Sequence, residues 1–283
     1  MTIFVLYYNN AGIAPDSDFE EARATRLRDP ARHKNGRDTM NSPAIPLSEQ
    51  ALEQLRHVST ATLTTQLFKH GLRNVFIQGV KPLASPAPGT PNLVGPAFTM
   101  RNIPAREDLD QLSAFQNPEH PQRKGVETVP AGAVLVQDCR GVTDAASMGS
   151  ILATRLKKRG VAGMVSDGPV RDSATIAALG MPVYCAGASA PLNLCKHHTV
   201  DLNVPIGCGG VAVFPGDILV GDADGVVVIP RHLVEEVAQA ATEQETLESF
   251  ITERIEAGAA LPGTYPPNEA TLAAYAEWKK ARA

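Results

Sequence analysis

The alternation of apolar and polar positions in residues 144–187 predicts a helix, a strand, a polar loop, a short helix and a second strand. Leu152 and Leu156 are four residues apart and share one face of the first helix, which a glycine ends after three basic residues. Residues 161–165 form a short apolar run that is typical of a buried strand. The polar loop at residues 167–172 therefore follows directly on a buried strand.

The rest of the chain continues this mixture of short helices and strands. Predicted helices begin at Ser48, near Thr60 and at Pro230, and a last amphipathic helix covers residues 268–281. Predicted strands cover residues 97–101, 133–138, 200–204, 211–214, 218–220 and 226–229. Strands and helices that alternate in this way predict a mixed α/β fold class.

Three parts of the chain differ in composition. Residues 1–45 are polar, carry charges of both signs and are interrupted by prolines, so they are predicted to be a flexible extension. Residues 46–258 carry the helix and strand patterns and are predicted to form one α/β domain. Residues 259–283 are predicted to be a C-terminal linker and helix.

Charge and cysteine content narrow the class of protein. The formal net charge is −4 and no long basic run occurs, so nucleic acid is not an expected partner. No apolar run approaches the roughly 20 residues of a transmembrane helix, so no membrane association is expected. The four cysteines form no C-x-x-C pair, which favours a cytoplasmic protein without a cysteine-rich metal site.

The polar loop and the helix before it carry the candidate chemistry. Ser147 is the predicted N-cap, and the first-turn amides that it leaves unpaired would attract a carboxylate or phosphate. Arg171 offers a forked donor to an oxyanion, and Asp172 offers an oxygen ligand suited to Mg²⁺ or Mn²⁺. Together these groups could stabilise an enolate. The spacing also fits a plain turn followed by an exposed ion pair.

Other polar residues leave two interpretations open. Residues 101–110 and 120–124 are predicted to lie in a polar loop, with a position at the rim of the site as the alternative. Asp138 and Asp144 flank the predicted helix start, where each could act at the site or cap a helix. The adjacent pair His197 and His198 has no metal-ligand spacing.

Several short motifs along residues 48–240 resemble the RraA-like family, which contains the regulator of ribonuclease activity A and the 4-hydroxy-4-methyl-2-oxoglutarate aldolases. The matching motifs are Gly149-Ser150-Ile151-Leu152, Asp167-Gly168, Arg171-Asp172, Gly209-Gly210-Val211 and Pro215-Gly216-Asp217. The resemblance implies an α-β-β-α sandwich similar to phosphohistidine swivelling domains, assembled as a homotrimer or homohexamer, with the site at a subunit boundary.

The resemblance also assigns roles in the aldolase branch. The backbone of Gly149, Ser150, Ile151 and Leu152 would hold the carboxylate of a pyruvate unit. Arg171 would contact the same substrate as a catalytic residue, and Asp172 would bind a divalent metal, Mg²⁺ or Mn²⁺. One departure is Thr175, where aldolases often carry an acidic residue that would support the site.

These residues predict a divalent-metal-dependent lyase that cleaves a 2-oxo acid through a pyruvate enolate. Oxaloacetate and 4-hydroxy-4-methyl-2-oxoglutarate are the expected kinds of substrate. No lysine lies in the loop to form a Schiff base, which favours metal chemistry over imine chemistry. Two alternatives stay open: a dehydratase or aldolase of a 2-keto-3-deoxy sugar acid, and a non-catalytic regulator that binds a ribonuclease.

Overall fold

The computed structural model describes residues 47–282, which fall into two compact units, 47–242 and 243–282. The predicted extension at residues 1–45 lies outside the described residues. Within residues 47–282, no helix combines the length and the apolar character that crossing a membrane requires.

Most strands of the first unit join one mixed sheet. Its strands are β1 (Phe76–Ile77), β2 (Lys81–Pro82), β3 (Leu93–Pro104), β4 (Val134–Asp138), β5 (Gly163–Ser166), β6 (Val183–Cys185), β7 (His197–Leu202), β10 (Ile218–Gly221) and β11 (Val226–Ile229). The order is β1-β11-β10-β3-β4-β5-β6-β2, and β7 pairs with the end of β3. Strands β3 to β6 run parallel, whereas β10 and β11 are antiparallel to their neighbours. A separate hairpin contains β8 (Ile206–Cys208) and β9 (Val211–Val213).

The first two helices begin at serine side chains that accept hydrogen bonds from first-turn amides. The helices are α1 (Glu49–Leu55), α2 (Thr60–Lys69), α3 (Pro121–Thr128), α4 (Ser150–Lys158), α5 (Ser173–Ala177), α6 (Val234–Glu256) and α7 (Glu269–Lys280). The Ser48 hydroxyl accepts a hydrogen bond from the Ala51 amide at 3.0 Å, as the capping pattern of α1 predicts. Ser59 caps α2 in the same way.

Successive residues of each central strand point to opposite faces, and this alternation divides the core into layers. Ile218 and Val220 pack with α1, α2 and the start of α6, whereas Leu219 packs with the β8–β9 hairpin. In the other half of the sheet Val134 joins the inner cluster, and Leu135 joins an outer cluster with α4. Helices thus cover both outer faces of a curled sheet. The predicted α/β class and its α-β-β-α sandwich are confirmed.

Helix α3 lies in a stretch that the sequence pattern predicts to be a loop, and that prediction is wrong. Pro121 occupies the first turn of the helix, where its missing amide costs nothing. Gly125 faces the sheet so closely that a Cβ there would lie 2.5 Å from the Met100 side chain. Glycine at this position therefore lets the helix approach the sheet closely.

The second unit has its own aromatic cluster. Phe250 on α6 lies 5.6 Å, between ring centroids, from both Tyr275 and Trp278 on α7. The Trp278 indole N–H donates to Glu253 at 2.9 Å, so the polar end of that ring also has a partner. These contacts account for the predicted amphipathic helix at the C-terminus.

Asp217 makes stability depend on pH. It lies in the turn between β9 and β10, and burial raises its pKa to about 6 although the Phe214 amide donates to it at 2.9 Å. The folded carboxyl therefore stays protonated up to about pH 6, while the unfolded one ionises near pH 4. The free energy of unfolding should fall as the pH rises between these values.

Replacing Asp217 with asparagine is expected to remove this decrease of the unfolding free energy with rising pH. Relative to wild type, the variant should gain on the order of 1–3 kcal/mol of unfolding free energy between pH 4.5 and pH 7. Urea unfolding of both proteins at the two pH values measures the change. A difference between the proteins that stays constant with pH would contradict the burial of this carboxyl.

Candidate active site

The start of helix α4 is held by the carboxylate of Asp172. Its Oδ2 accepts hydrogen bonds from the Ser150 amide at 3.1 Å and from the Ser150 hydroxyl at 3.0 Å. Ser147 is not the N-cap, so that prediction is wrong. The helix is preceded by Gly149, and the buried Ser147 hydroxyl donates to the Pro169 carbonyl at 2.9 Å. A carboxylate distant in the sequence therefore does the capping that a local serine was expected to do.

The cap leaves first-turn amides available to a ligand. By helix geometry, the N–H groups of Gly149, Ile151 and Leu152 have no carbonyl earlier in α4 to donate to. The Ser150 amide differs from these three, because it donates a hydrogen bond to the Asp172 carboxylate. The positive end of the helix therefore presents backbone donors next to a carboxylate, an arrangement that suits a bound anion.

Arg171 and Asp172 are held in place by the backbone around them. The Arg171 amide donates to the Met148 carbonyl at 3.0 Å, which ties the loop after β5 to the residues before α4. Asp172 has φ 55° and ψ 38°, a left-handed conformation that costs a non-glycine residue free energy. Its carboxylate Oδ1 lies 4.0 Å from Arg171 Nε, and hydrogen bonds from Ser150 are the main cause that lowers its pKa.

These residues line one cavity of about 260 Å³. Its lining includes all six predicted site residues: Gly149, Ser150, Ile151, Leu152, Arg171 and Asp172. Arg171 and Asp172 keep 44% and 42% of their side chains exposed, so both can reach a ligand. A second cavity on the other side of Asp172 is lined by Thr175. The structure thus brings the predicted carboxylate cradle, the guanidinium and the metal-binding candidate together.

Other acidic candidates lie elsewhere. Asp167 is buried and accepts hydrogen bonds from the amides of Cys139, Gly141 and Gly209, so it joins three loops. Burial raises its pKa, and these three bonds act in the opposite direction. Asp138 accepts from the Arg140 amide, and Asp144 pairs with Lys196 at 2.9 Å. Neither Asp138 nor Asp144 is among the residues that line the cavity of Asp172.

The polar cluster at residues 101–110 forms ion pairs away from the site. Arg106 pairs with Asp108 at 2.6 Å, and the buried Asp110 pairs with His198 at 2.7 Å. These residues are not among those that line the cavity. Arg101 pairs with Asp201 across β3 and β7.

Three further residues line the cavity, and for two of them, Gln122 and Arg123, the sequence pattern leaves a position at the rim of the site open as the alternative. Gln122 and Arg123 come from the unpredicted helix α3, and Phe115 comes from the short 3₁₀ helix at Leu112–Gln116. The Gln122 amide donates to the Ser147 carbonyl at 2.9 Å, which joins α3 to the start of the site. The proline before Gln122 and Arg123 was the available signal, because proline is frequent at a helix start.

The donor set fits a magnesium ion that is bound mainly by substrate and water. Within residues 47–282, no group of three or more histidine, cysteine, aspartate or glutamate residues could hold a metal ion. Ser150 donates both hydrogen bonds to Oδ2 of Asp172, so the other carboxylate oxygen, Oδ1, is not used by Ser150. Magnesium keeps several waters and is commonly bound by one or two carboxylates, so one such ligand is compatible with it.

A comparison with models of protein families shows which family this chain belongs to. The model of the RraA-like family, described as Aldolase/RraA, matches residues 60–228, which is more than half of the chain. The chain belongs to the RraA-like family. Its RraA-like segment contains the whole cavity lining, from Phe115 to Asn193.

Relatives of this RraA-like protein carry two kinds of name. A Halalkalibacterium halodurans protein named "Putative 4-hydroxy-4-methyl-2-oxoglutarate aldolase" is 34% identical over 69% of this chain and 83% of its own length. The crystal structure of RraAS2 from Streptomyces coelicolor, described as an unusual member of the RNase ES inhibitor RraA family, has 30% identity and a TM-score of 0.64. It covers 74% of this chain and 98% of its own.

An uncharacterised protein from Pseudomonas syringae pv. tomato has the same fold. Its crystal structure matches with 28% identity and a TM-score of 0.67, over 79% of this chain and 96% of its own. These matches agree with the α-β-β-α sandwich described above.

Proposed function

We propose that this chain is a divalent-metal-dependent carbon–carbon lyase that cleaves a 2-oxo acid and forms the enolate of pyruvate. The observation that carries the proposal is that Arg171, Asp172 and the first-turn residues Gly149 to Leu152 all line the same cavity. The name of the Halalkalibacterium halodurans relative supports the same reaction class. Oxaloacetate and 4-hydroxy-4-methyl-2-oxoglutarate are the proposed kinds of substrate.

The residues of the cavity would bind the pyruvate unit of the substrate. The free amides of Ile151 and Leu152 and the Arg171 guanidinium would hold the C1 carboxylate. Asp172 would hold a Mg²⁺ or Mn²⁺ ion, which when bound supplies positive charge beside the 2-oxo oxygen. The bond between C3 and C4 then breaks, and its electron pair moves onto C3 to give the enolate. From oxaloacetate the other product is carbon dioxide. From 4-hydroxy-4-methyl-2-oxoglutarate the C4 hydroxyl gives up its proton to a base as the bond breaks, and the C4 fragment leaves as a second molecule of pyruvate. In both reactions the enolate takes up a proton at C3 to give pyruvate.

The fixed positions of these donors matter for the rate. The helix amides, the arginine and the aspartate are held by backbone hydrogen bonds before substrate arrives. Groups that are already oriented toward developing negative charge need little reorganisation, and they stabilise the transition state more than the ground state. An aspartate is ionised at neutral pH, and the hydrogen bonds from Ser150 lower the pKa of Asp172 further.

Pyruvate release tests the proposal. We expect the protein to release pyruvate from both substrates with Mg²⁺ or Mn²⁺, faster than the metal ion alone, and EDTA should stop the release. The alternative is a dehydratase or aldolase of a 2-keto-3-deoxy sugar acid. That alternative is correct if the protein dehydrates or cleaves such a sugar acid while neither of the two proposed substrates yields pyruvate.

The second alternative is a regulator that binds a ribonuclease, and the description of RraAS2 favours it. If the chain is such a regulator, the wild-type protein and the Asp172→Ala variant should inhibit an RNase ES-type ribonuclease equally well. Inhibition would not need a carboxylate that binds a metal ion. Such inhibition without release of pyruvate, at any metal concentration, would replace the lyase proposal.

A further inference from the structure

Arg123 is a half-buried cation without an acidic partner. Its guanidinium lies over the Phe115 ring, with Cζ 4.2 Å from the ring centroid. Among the described residues, no carboxylate or carbonyl accepts a hydrogen bond from it. An arginine that is partly removed from water usually has an anionic partner, because its five N–H donors otherwise lose hydration without compensation.

The guanidinium of Arg123 lines the same cavity as Arg171. Arg123 comes from α3 and Arg171 from the loop after β5, and within residues 47–282 Asp172 alone brings a carboxylate to the lining of that cavity. Arg171 has the first turn of α4 beside it, whereas Arg123 has the Phe115 ring. The cavity therefore carries two separate cationic groups, of which the pyruvate unit proposed above uses one.

Two separate cations suit an acid with two carboxylates. Oxaloacetate and 4-hydroxy-4-methyl-2-oxoglutarate, the substrates proposed above, each carry a second carboxylate besides the one at C1, and a guanidinium is a preferred partner for such a group.

We propose that Arg123 binds the distal carboxylate of the substrate, so that the site selects 2-oxo dicarboxylic acids over 2-oxo monocarboxylic acids. This proposal rests on the proposed function, which places the C1 carboxylate at Arg171 and α4. Phe115 would hold the Arg123 side chain flat, so that its planar fork faces the ligand. Arg123 is thus a specificity residue that lies away from the bond that breaks.

A matched pair of ligands tests the proposal by direct binding. 2-Oxoglutarate and 2-oxopentanoate have the same carbon chain, but only the first has a distal carboxylate. Calorimetric titration in Mg²⁺ is expected to show that wild type binds 2-oxoglutarate at least about ten-fold more tightly. Arg123→Gln should bring the ratio of the two dissociation constants close to one, and Arg123→Lys should leave an intermediate ratio.

Lys124→Gln is the matched control. Lys124 is the next residue on α3, is half exposed and pairs with Glu119 at 2.7 Å, outside the cavity. This variant removes the same charge from the same helix and should keep the wild-type ratio. Thermal unfolding of every variant separates a folding defect from a binding defect, and Arg123→Lys serves if Arg123→Gln does not fold.

The outcomes separate this proposal from the lyase proposal. A wild-type ratio near one, or a ratio that Arg123→Gln leaves unchanged, overturns the role of Arg123 even if pyruvate is released. A preference for 2-oxoglutarate that Arg123→Gln removes supports that role even if no substrate yields pyruvate, in which case only the lyase proposal fails.

Discussion

Replacing Asp172 with asparagine is expected to remove most of the lyase activity and leave the fold intact. Asparagine can still accept the hydrogen bonds of Ser150 and tolerates the left-handed conformation at this position. It cannot supply the anionic oxygen that a divalent cation needs. Removal of one such electrostatic group typically costs about 10²- to 10³-fold in rate, and we expect kcat/KM for oxaloacetate to fall at least that far.

Asp172→Ala separates the two roles of this carboxylate. Alanine removes the helix cap as well as the metal ligand and disfavours the left-handed backbone, so the free energy of unfolding should fall by about 1–2 kcal/mol. Asp172→Asn should change it by less than about 0.5 kcal/mol. Steady-state kinetics with urea unfolding on both variants measures the two effects. An active Asp172→Asn protein would show that the carboxylate only caps α4.

Replacing Asp167 with alanine is expected to produce the largest loss of stability. The side chain accepts from the amides of Cys139 at 2.6 Å, Gly141 at 3.0 Å and Gly209 at 3.3 Å, and it is 7% exposed. Alanine would leave the buried Cys139 amide without a partner, at a cost of about 1–3 kcal/mol, and it would remove the partner of the more exposed Gly141 and Gly209 amides at a smaller cost. Part of this destabilisation is offset because burying the carboxylate is itself costly, as its raised pKa indicates. We expect a net loss of about 2–3 kcal/mol.

Urea unfolding followed by circular dichroism measures that loss, with Asp144→Ala as the control. The Asp144 side chain is 61% exposed, and its carboxylate forms an ion pair with Lys196. Exposed ion pairs contribute little to stability, so removing this carboxylate should change the free energy of unfolding by less than about 1 kcal/mol. If the two alanine variants unfold at the same urea concentration, Asp167 does not join the three loops as described.

Much of the fold could be predicted because local patterns and tertiary packing agree. The capping of α1 by Ser48 and the apolar run of β10 are both visible in the sequence, and the helix cap and the strand both occur in the structure. Helix α3 could not be predicted in the same way. It has few apolar residues, and its Gly125 packs closely against Met100, which lies 25 residues away in the sequence.

The same distinction applies to the site. The motif of Arg171 and Asp172 is local, so the sequence indicated it directly. The cap of α4 depends on a contact between Ser150 and Asp172, 22 residues apart, and local capping rules pointed to Ser147 instead. Arg123 reaches the cavity only because α3 packs against the start of α4, which no pattern within the polar stretch indicates.

The most direct test of the central claim is the exchange of the methyl protons of pyruvate with deuterium oxide, followed by proton NMR. This exchange needs the enolate and no carbon–carbon cleavage. We predict that the wild-type protein with Mg²⁺ accelerates the loss of the methyl signal, and that EDTA or Asp172→Asn returns it to the rate of buffer. Pyruvate that binds to the wild-type protein with Mg²⁺ but exchanges at the buffer rate would contradict enolate stabilisation at this site.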